Sequence, residues 1–223
     1  MPLRTGVLGA AVALVSLLLA STVSVPARAQ MGPMTGPPLD QLTGDDFDKA
    51  FLQQMTMHHA MAVMMARPAA ANAGRQEVKD LAQAMIDDQT REIAQMRTSA
   101  KDWYGLDIPD HVAMMDQMMG SGQAMPGMGQ GGPHNSGMPM QGGMPMMHGM
   151  SMMADLWKLP PQRLDAVFMA MMIPHHQGAI DMASLVPDRA AHSELKDLAT
   201  TIVESQRSEI DQMNAWLTSR YGL

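Results

Sequence analysis

Adjacent histidines are the residues of this 223-residue sequence best suited to metal chemistry. Two such pairs occur, each with a methionine three residues before it: Met55 before His58-His59, and Met172 before His175-His176. Residues three and four apart share a helix face, so each sulfur lies beside its imidazoles. Thioether and imidazole suit copper, Cu(I) above all, whereas magnesium and calcium need oxygen ligands. Burial beside a polar partner is the alternative for one histidine, but four equivalent ones favour a metal site.

Four other polar residues are expected close to these histidines. They fall on the apolar face of the helix that follows each pair, at Gln89, Glu92, Gln206 and Glu209. Buried polar groups need hydrogen-bond partners, and the histidines across the hairpin are the nearest candidates. A side chain that accepts the free ring N–H of a ligating histidine is the usual support of a metal site. The alternative is that Glu92 reaches the helix edge and pairs with a lysine or arginine.

A methionine-rich insert, residues 107–155, supplies a third set of ligands. It holds 14 of the 29 methionines, together with many glycines and prolines. A short helix is predicted from His111 to Met119, and this composition prevents a regular helix beyond it. Since such a chain presents no packed face, its thioethers are better explained by capture of a soft cation than by core packing. Its best local ligand group is Met146, Met147, His148 and Met150.

An internal repeat predicts the elements that position these ligands. Residues 48–106 align without a gap with residues 165–223, at an offset of 117, and more than a third of the aligned positions are identical. The histidine pairs, the Gln and Glu residues and a terminal Tyr-Gly-Leu all coincide. A repeat this regular indicates two copies of one supersecondary unit.

Each copy is predicted to be a helical hairpin. In the first copy apolar residues recur every three or four positions from Phe47 to Met65, and Arg67-Pro68 gives a stop signal. The second helix should run from about Gln76 to Trp103. A single hairpin cannot cover its own apolar face, so two hairpins should pack as an all-α four-helix bundle. Pro174 should lie inside the third helix and bend it.

The first 29 residues predict export from the cytosol. Residues 1–29 combine an early arginine, an apolar run and a small-x-small site, as in a cleaved signal peptide, so we expect a periplasmic or secreted protein. The apolar run is short for a membrane anchor, and no stable membrane insertion is expected after cleavage.

Residues 30–44 should be a disordered linker. A single bundle domain, 45–223, should then comprise hairpin one (45–106), the insert (107–155) and hairpin two (156–223).

Composition excludes several classes of function. The formal net charge of −7 argues against nucleic acid as a partner. The absence of cysteine excludes disulfides, thiolate nucleophiles and cysteine metal sites. Catalytic triads, phosphate loops and paired catalytic carboxylates do not occur at usable spacing. The composition and the absence of these motifs together predict a protein that is not an enzyme.

Two segments resemble a known family. MMIPHHQGAIDMA (171–183) and FLQQMTMHHAMAVMMA (51–66), each followed by a Q-x-x-E-I-x-x-M helix, are similar to the domain of unknown function 305 family and its CopM-type periplasmic copper-binding proteins. The resemblance covers residues 45–106 and 155–223. The first copy departs from the second at Met57 and Met64, which replace Pro174 and Asp181.

This resemblance implies a ferritin-like bundle in which methionine and histidine bind copper and support copper tolerance. Carried over to this sequence, it points to both histidine pairs, with four methionines beside them: Met55, Met65, Met172 and Met182.

Three functional hypotheses follow. The first is an extracytoplasmic protein that sequesters or transfers copper, as Cu(I) or alternatively Cu(II), or silver, with a copper exporter or oxidase as a transfer partner. The second is a ferritin-like bundle that docks partners without metal. The third is a di-iron oxidase, which needs Glu-x-x-His motifs; here Glu92 and Glu209 are followed three residues later by glutamine, so carboxylates and ligands are too few.

Overall fold

The structure is a computed structural model that describes residues 36–120 and 155–223. Within those ranges it is helical and contains no strand, which confirms the predicted all-α bundle. After a 3-10 turn at Leu39–Gln41, the helices are α1 (Gly44–Asn72), α2 (Gln76–Tyr104), α3 (His111–Gly120), α4 (Pro161–Ala183), α5 (Val186–Arg189) and α6 (Ser193–Trp216), and a π turn (Leu217–Tyr221) follows α6.

The first helix is longer than its sequence signals predict. The stop expected at Arg67-Pro68 is wrong, because α1 continues through Pro68 to Asn72. Proline removes one backbone N–H and its hydrogen bond. Ala69 and Ala73, beyond the proline, are buried in an apolar cluster, and this packing outweighs the lost bond. The predicted continuation of α4 through Pro174 is confirmed.

Both hairpins end in the same way. Gly105 follows α2 with φ +63°, and Gly222, its repeat equivalent, follows the π turn with φ +67°. Glycine adopts this left-handed conformation without steric cost. The N–H groups of Gly105 and Leu106 donate to the Lys101 and Ala100 carbonyls, which closes the end of α2.

The two largest apolar clusters of the described residues lie at opposite ends of the four long helices. The first cluster includes Phe51, Met55, Ala179 and Ile202, and the second includes Met65, Met85, Phe168 and Met172. Along α1 the chain passes from the first cluster to the second, and along α4 it passes from the second to the first, so these two helices are antiparallel.

Between the clusters each long helix carries buried polar residues: His58 and His59, Gln89, His175 and His176, and Gln206. We call these residues the polar layer.

Two buried aspartates join the hairpins to one another. On α1, Asp48 accepts the backbone N–H groups of Ala191 and His192, which precede α6, both at 3.1 Å. On α4, Asp165 accepts the N–H of Gly74, which precedes α2, at 2.6 Å. Each aspartate also accepts the hydroxyl of a tyrosine at the end of its own hairpin: Tyr104 at 2.9 Å for Asp48, and Tyr221 at 2.8 Å for Asp165. We call these two groups the aspartate clasps.

Part of the segment expected to be disordered is ordered. Of residues 30–44, the structure describes 36–44, where Leu39 is buried in the first cluster. Gln54 donates to the Pro37 carbonyl at 3.0 Å, and Arg189 donates to the Leu42 carbonyl at 3.1 Å. One apolar side chain and two side-chain bonds therefore fix a segment whose composition alone predicts none of them.

The short helix predicted from His111 to Met119 is confirmed as α3. It packs against α1, where Val112 and Met115 contact a small cluster that contains Ala60 and Val63. None of the helices in residues 36–120 and 155–223 is both long and apolar enough to cross a bilayer.

Candidate metal centre

The four predicted histidines lie together in the polar layer. They are at the middle of α1 and α4, and their exposed fractions are 1% for His58, 0% for His59, 6% for His175 and 0% for His176. The antiparallel packing of α1 and α4 brings the two halves of the repeat face to face at this level. All four imidazoles are therefore removed from solvent.

The outer histidine of each pair is bonded to a glutamate. His59 Nε2 donates to Glu92 Oε2 at 2.7 Å, and His176 Nε2 donates to Glu209 Oε2 at 2.6 Å. Of the two alternatives for Glu92, the structure thus shows the bond to histidine. A carboxylate only accepts, so in a neutral ring Nδ1 keeps its lone pair free. Carboxylates orient metal-binding histidines in this way.

The inner histidines, His58 and His175, contact each other across the repeat. Their ring centroids are 3.9 Å apart, and the rings are tilted by 43°. Neither ring nitrogen of either residue has a hydrogen-bond partner within the described part of the chain. Burial, and then the nearby charges of His59 and His176, lowers the pKa of His58 to about 3. Burial likewise holds the pKa of His175 well below its usual value. Both rings are therefore neutral and carry a free lone pair.

Other polar atoms in this layer, and one beside it, also lack hydrogen-bond partners among the described residues. Among the described residues, no partner is found for Nδ1 of His59 and His176, for Oε1 of Gln89 and Gln206, or for Oγ1 of Thr56. A buried polar atom without a partner costs about 1–3 kcal/mol. Such a concentration is unusual in a native core, where a functional ligand is one explanation.

The chemistry of these donors fits copper, but their arrangement does not complete a site. In residues 36–120 and 155–223, no three histidine, aspartate or glutamate side chains converge on a point that could hold a metal ion. An ion shared by two imidazoles lies about 2.0–2.1 Å from one nitrogen of each ring, as for zinc, whereas the His58 and His175 rings contact each other directly, with centroids 3.9 Å apart. Joint binding by His58 and His175 requires the rings to turn. The polar layer is accordingly a candidate centre whose ligand set is incomplete in this arrangement.

The predicted methionine ligands are divided between the two apolar clusters. Met55 is 0% exposed in the first cluster, Met172 is 0% exposed and Met65 6% exposed in the second, and Met182 is partly buried against the first. Met55 and Met172 therefore border the polar layer from opposite ends. Their role as ligands stays a prediction, as does that of Gln89 and Gln206 as supporting residues.

The predicted ligand group of the insert lies outside the described residues. Met146, Met147, His148 and Met150 all fall in the range 121–154. Their part in metal capture stays a prediction.

Sequence reasoning did not identify the aspartate clasps. Asp48, Asp165, Tyr104 and Tyr221 are identical between the two copies of the repeat, and this identity was the available signal. Their partners, however, are 56 residues away within a hairpin and 91 or more residues away between hairpins. No local pattern connects residues at such separations.

Several solved structures of other proteins are similar to this fold. The Cu(II)-bound form of CopM is 33% identical, with a TM-score of 0.55, over 76% of this chain and 94% of CopM. The Cu(I)-bound form is 29% identical, with a TM-score of 0.55, over 78% of this chain and 97% of CopM. CopM also has silver-bound and apo forms. A DUF305 protein from Streptomyces coelicolor, described as a candidate secreted protein, is 26% identical, with a TM-score of 0.55, over 78% of this chain and 93% of its own.

A shorter match comes from a curated sequence. The uncharacterized protein L153 of Acanthamoeba polyphaga mimivirus is 41% identical over 56 residues, which are 25% of this chain and 37% of L153. The match thus spans little more than a third of that relative. The family model covers residues 21–100 and 108–217, which include α1, α3, α4, α5 and α6 and most of α2. The chain belongs to the family described as domain of unknown function 305 (DUF305).

Proposed function

We propose that this protein binds copper in the polar layer, and that it sequesters or transfers the ion outside the cytosol. The observation that carries the proposal is the set of six buried imidazole nitrogens, on His58, His59, His175 and His176, that have no hydrogen-bond partner among the described residues. Similarity to CopM, which has been solved with Cu(I), Cu(II) and silver, supports copper as the ion. The ion is a cargo, and the protein is a binding protein and not an enzyme.

The donor atoms and the charges around them support a soft cation. A cation in a buried site loses its hydration and needs compensating charge. Glu92 and Glu209, each bonded to the outer histidine of its half, place two carboxylates at the edge of the polar layer. Neutral inner imidazoles bind a soft cation without first releasing a proton. The layer thus combines soft donors with nearby negative charge, which suits Cu(I) or Ag(I).

The two halves of the repeat would then act together. His58 belongs to the first hairpin and His175 to the second, so an ion held by both would link them. Methionines Met55 and Met172, which border the layer, would complete the coordination after the rings turn. The methionine-rich insert would add thioethers, and a copper exporter or oxidase would receive the ion. Export through the leader, residues 1–29, would place this activity in the periplasm or outside the cell.

A metal-free bundle that docks partners is the second candidate. The direct contact between the His58 and His175 rings, which are tilted by 43° with centroids 3.9 Å apart, favours this alternative. It differs from the first candidate in one measurable respect. A ligand that binds only the folded state raises the melting temperature, whereas a metal-free bundle shows no such response.

The test is copper stoichiometry at equilibrium. The purified protein is titrated with Cu(I) against a colorimetric chelator, beside a variant with His58 and His175 both changed to leucine. We expect the variant to bind fewer ions and to lose the rise in melting temperature. His111→Ala, which removes a histidine of α3 outside the polar layer, is the matched control and should bind as the parent does. Equal stoichiometry in the leucine variant and the parent would exclude the polar layer as a copper site.

A further inference from the structure

We propose that the cleft between α2 and α6 is the entrance through which a monovalent soft cation reaches the polar layer, and that Glu92 passes the ion from this cleft to His59. The proposal rests on the proposed function, because it assigns a route to the same site. It concerns the rate of loading, which equilibrium stoichiometry does not measure.

A route is needed because the imidazoles are closed off from solvent. The side chains of His59 and His176 are 0% exposed, whereas the glutamates bonded to them are 12% exposed for Glu92 and 15% exposed for Glu209. Each glutamate therefore touches both solvent and a buried ring. A cation that follows hydrogen-bonded polar groups avoids crossing the apolar clusters, where it would have no ligands.

An open cleft lies over Glu92. It has a volume of about 440 Å³ and is lined by α2 and α6. Its carboxylates are Asp88 and Glu92 from α2 and Asp197 from α6, and its one lining cation, Arg91, is paired with Asp88. A concave surface with excess negative charge concentrates cations and raises their association rate.

Glu92, which lines the cleft, is one hydrogen bond away from a metal-binding side chain. Its Oε2 accepts the Nε2–H of His59 at 2.7 Å, and the lone pair of that ring is on Nδ1, which is buried without a partner in the described part of the chain. The His59 ring must therefore turn before Nδ1 can take an ion from Glu92. Carboxylate oxygen is a hard ligand that holds Cu(I) or Ag(I) weakly, whereas imidazole and thioether hold them better. Glu92 should therefore hand the ion on and not retain it.

The internal repeat provides a matched control for this role. Glu209 makes the same bond to His176, at 2.6 Å, but it does not line this cleft. Glu92→Gln and Glu209→Gln therefore remove equivalent bonds to equivalent histidines. A difference between the two variants isolates the contribution of the cleft from that of histidine orientation.

The experiment measures uptake of Cu(I) by stopped-flow, from a colorimetric Cu(I) chelator into the purified full chain. We expect E92Q to load about tenfold more slowly than the parent, within the range known for electrostatic focusing. E209Q should load faster than E92Q, because Glu209 does not line the cleft. Thr201→Trp, which places a large side chain in the cleft lining and keeps the Glu92 carboxylate, should also slow loading.

Three outcomes decide the proposal. Equal slowing by E92Q and E209Q would assign the effect to histidine orientation and overturn the entrance. Parental loading by T201W, with its fold checked by melting temperature, would also overturn it. If the parent chain takes up no Cu(I), the proposed function fails and the entrance fails with it. Normal uptake by the parent together with either of the first two results rejects the entrance alone.

Discussion

The carboxylate of Asp48 on α1 is bonded to both the backbone and the ring of His192, which precedes α6 in the other hairpin. The backbone N–H lies 3.1 Å and ring Nδ1 2.9 Å from Asp48 Oδ2. The His192 ring also stacks on Trp103 of α2, with centroids 4.0 Å apart and an angle of 5° between planes. Gly74 donates the equivalent bond to Asp165, so the first helix of each hairpin is bonded to the loop of the other hairpin. These clasps fix how α1 lies against α4, and hence how His58 meets His175.

The first prediction concerns the clasps. Asp48→Ala removes the acceptor for two backbone N–H groups, a tyrosine hydroxyl and a histidine ring. Each donor left buried costs about 1–3 kcal/mol, so we expect the free energy of unfolding to fall by more than about 2 kcal/mol. Asp165→Ala should have a smaller effect, because Asp165 accepts from one backbone N–H and one hydroxyl. Urea denaturation measures both.

Asp46→Ala is the control for the clasp variants. Its side chain is 82% exposed at the start of α1, two residues before Asp48. It should change the free energy of unfolding by less than about 0.5 kcal/mol. Equal destabilisation by Asp46→Ala and Asp48→Ala would show that the loss reflects helix-terminal charge and not the clasp.

The second prediction concerns pH. Burial lowers the pKa of His58 from 6.5 to about 3 in the folded protein, so the unfolded chain binds the extra proton first as pH falls. Stability from this residue is fully present above pH 6.5 and is lost between about pH 6.5 and 3. The contribution of His58 to the free energy of unfolding should fall by about 1.4 kcal/mol per pH unit in that window. Chemical denaturation of the metal-free protein at several pH values measures the slope.

His175 contributes in the same direction, because burial also lowers its pKa. The variant with His58 and His175 both changed to leucine should therefore show a flatter dependence on pH than the parent. A slope that is unchanged in this variant would mean that other groups control acid unfolding.

The third prediction separates stability from binding. In the same double leucine variant, four unpartnered ring nitrogens are replaced by apolar groups of similar size. Since unsatisfied buried polar groups are costly, the metal-free variant should be more stable than the metal-free parent by about 1–3 kcal/mol. Denaturation in the presence of a strong chelator makes the comparison. Destabilisation instead would indicate that the inner histidines make favourable contacts in the metal-free core.

The fourth prediction concerns the insert. A variant that lacks residues 120–153 should bind fewer Cu(I) ions than the parent, because the deletion removes most of the insert's methionines and His148. Its melting temperature in chelator should be close to that of the parent, since the two apolar clusters are built from residues outside the deletion. Metal analysis after dialysis gives the stoichiometry. Parental copper content in the shortened chain would remove the insert from the binding mechanism.

The sequence by itself determined the helices and their pairing. The three-and-four spacing along α1 and the repeat at an offset of 117 predict two hairpins, because helix periodicity and turn signals act between residues close in the chain. The same local reasoning placed His58, His59, His175 and His176 on inward faces. It failed at Pro68, where packing of Ala69 and Ala73 overrides a local stop signal.

Only the tertiary structure decided which of these faces meet, and through which atoms. Residues 33 to 144 positions apart are joined by the contact between the His58 and His175 rings, by the bond from His59 to Glu92, and by the bonds from Asp48 and Asp165 to the loop of the other hairpin. Such contacts depend on the burial of both apolar clusters at the same time. The packing of the whole bundle decides them, and no short stretch of sequence contains that information. The same packing holds the His58 and His175 imidazoles together without hydrogen bonds from any residue that the structure describes, and the copper proposal depends on this feature.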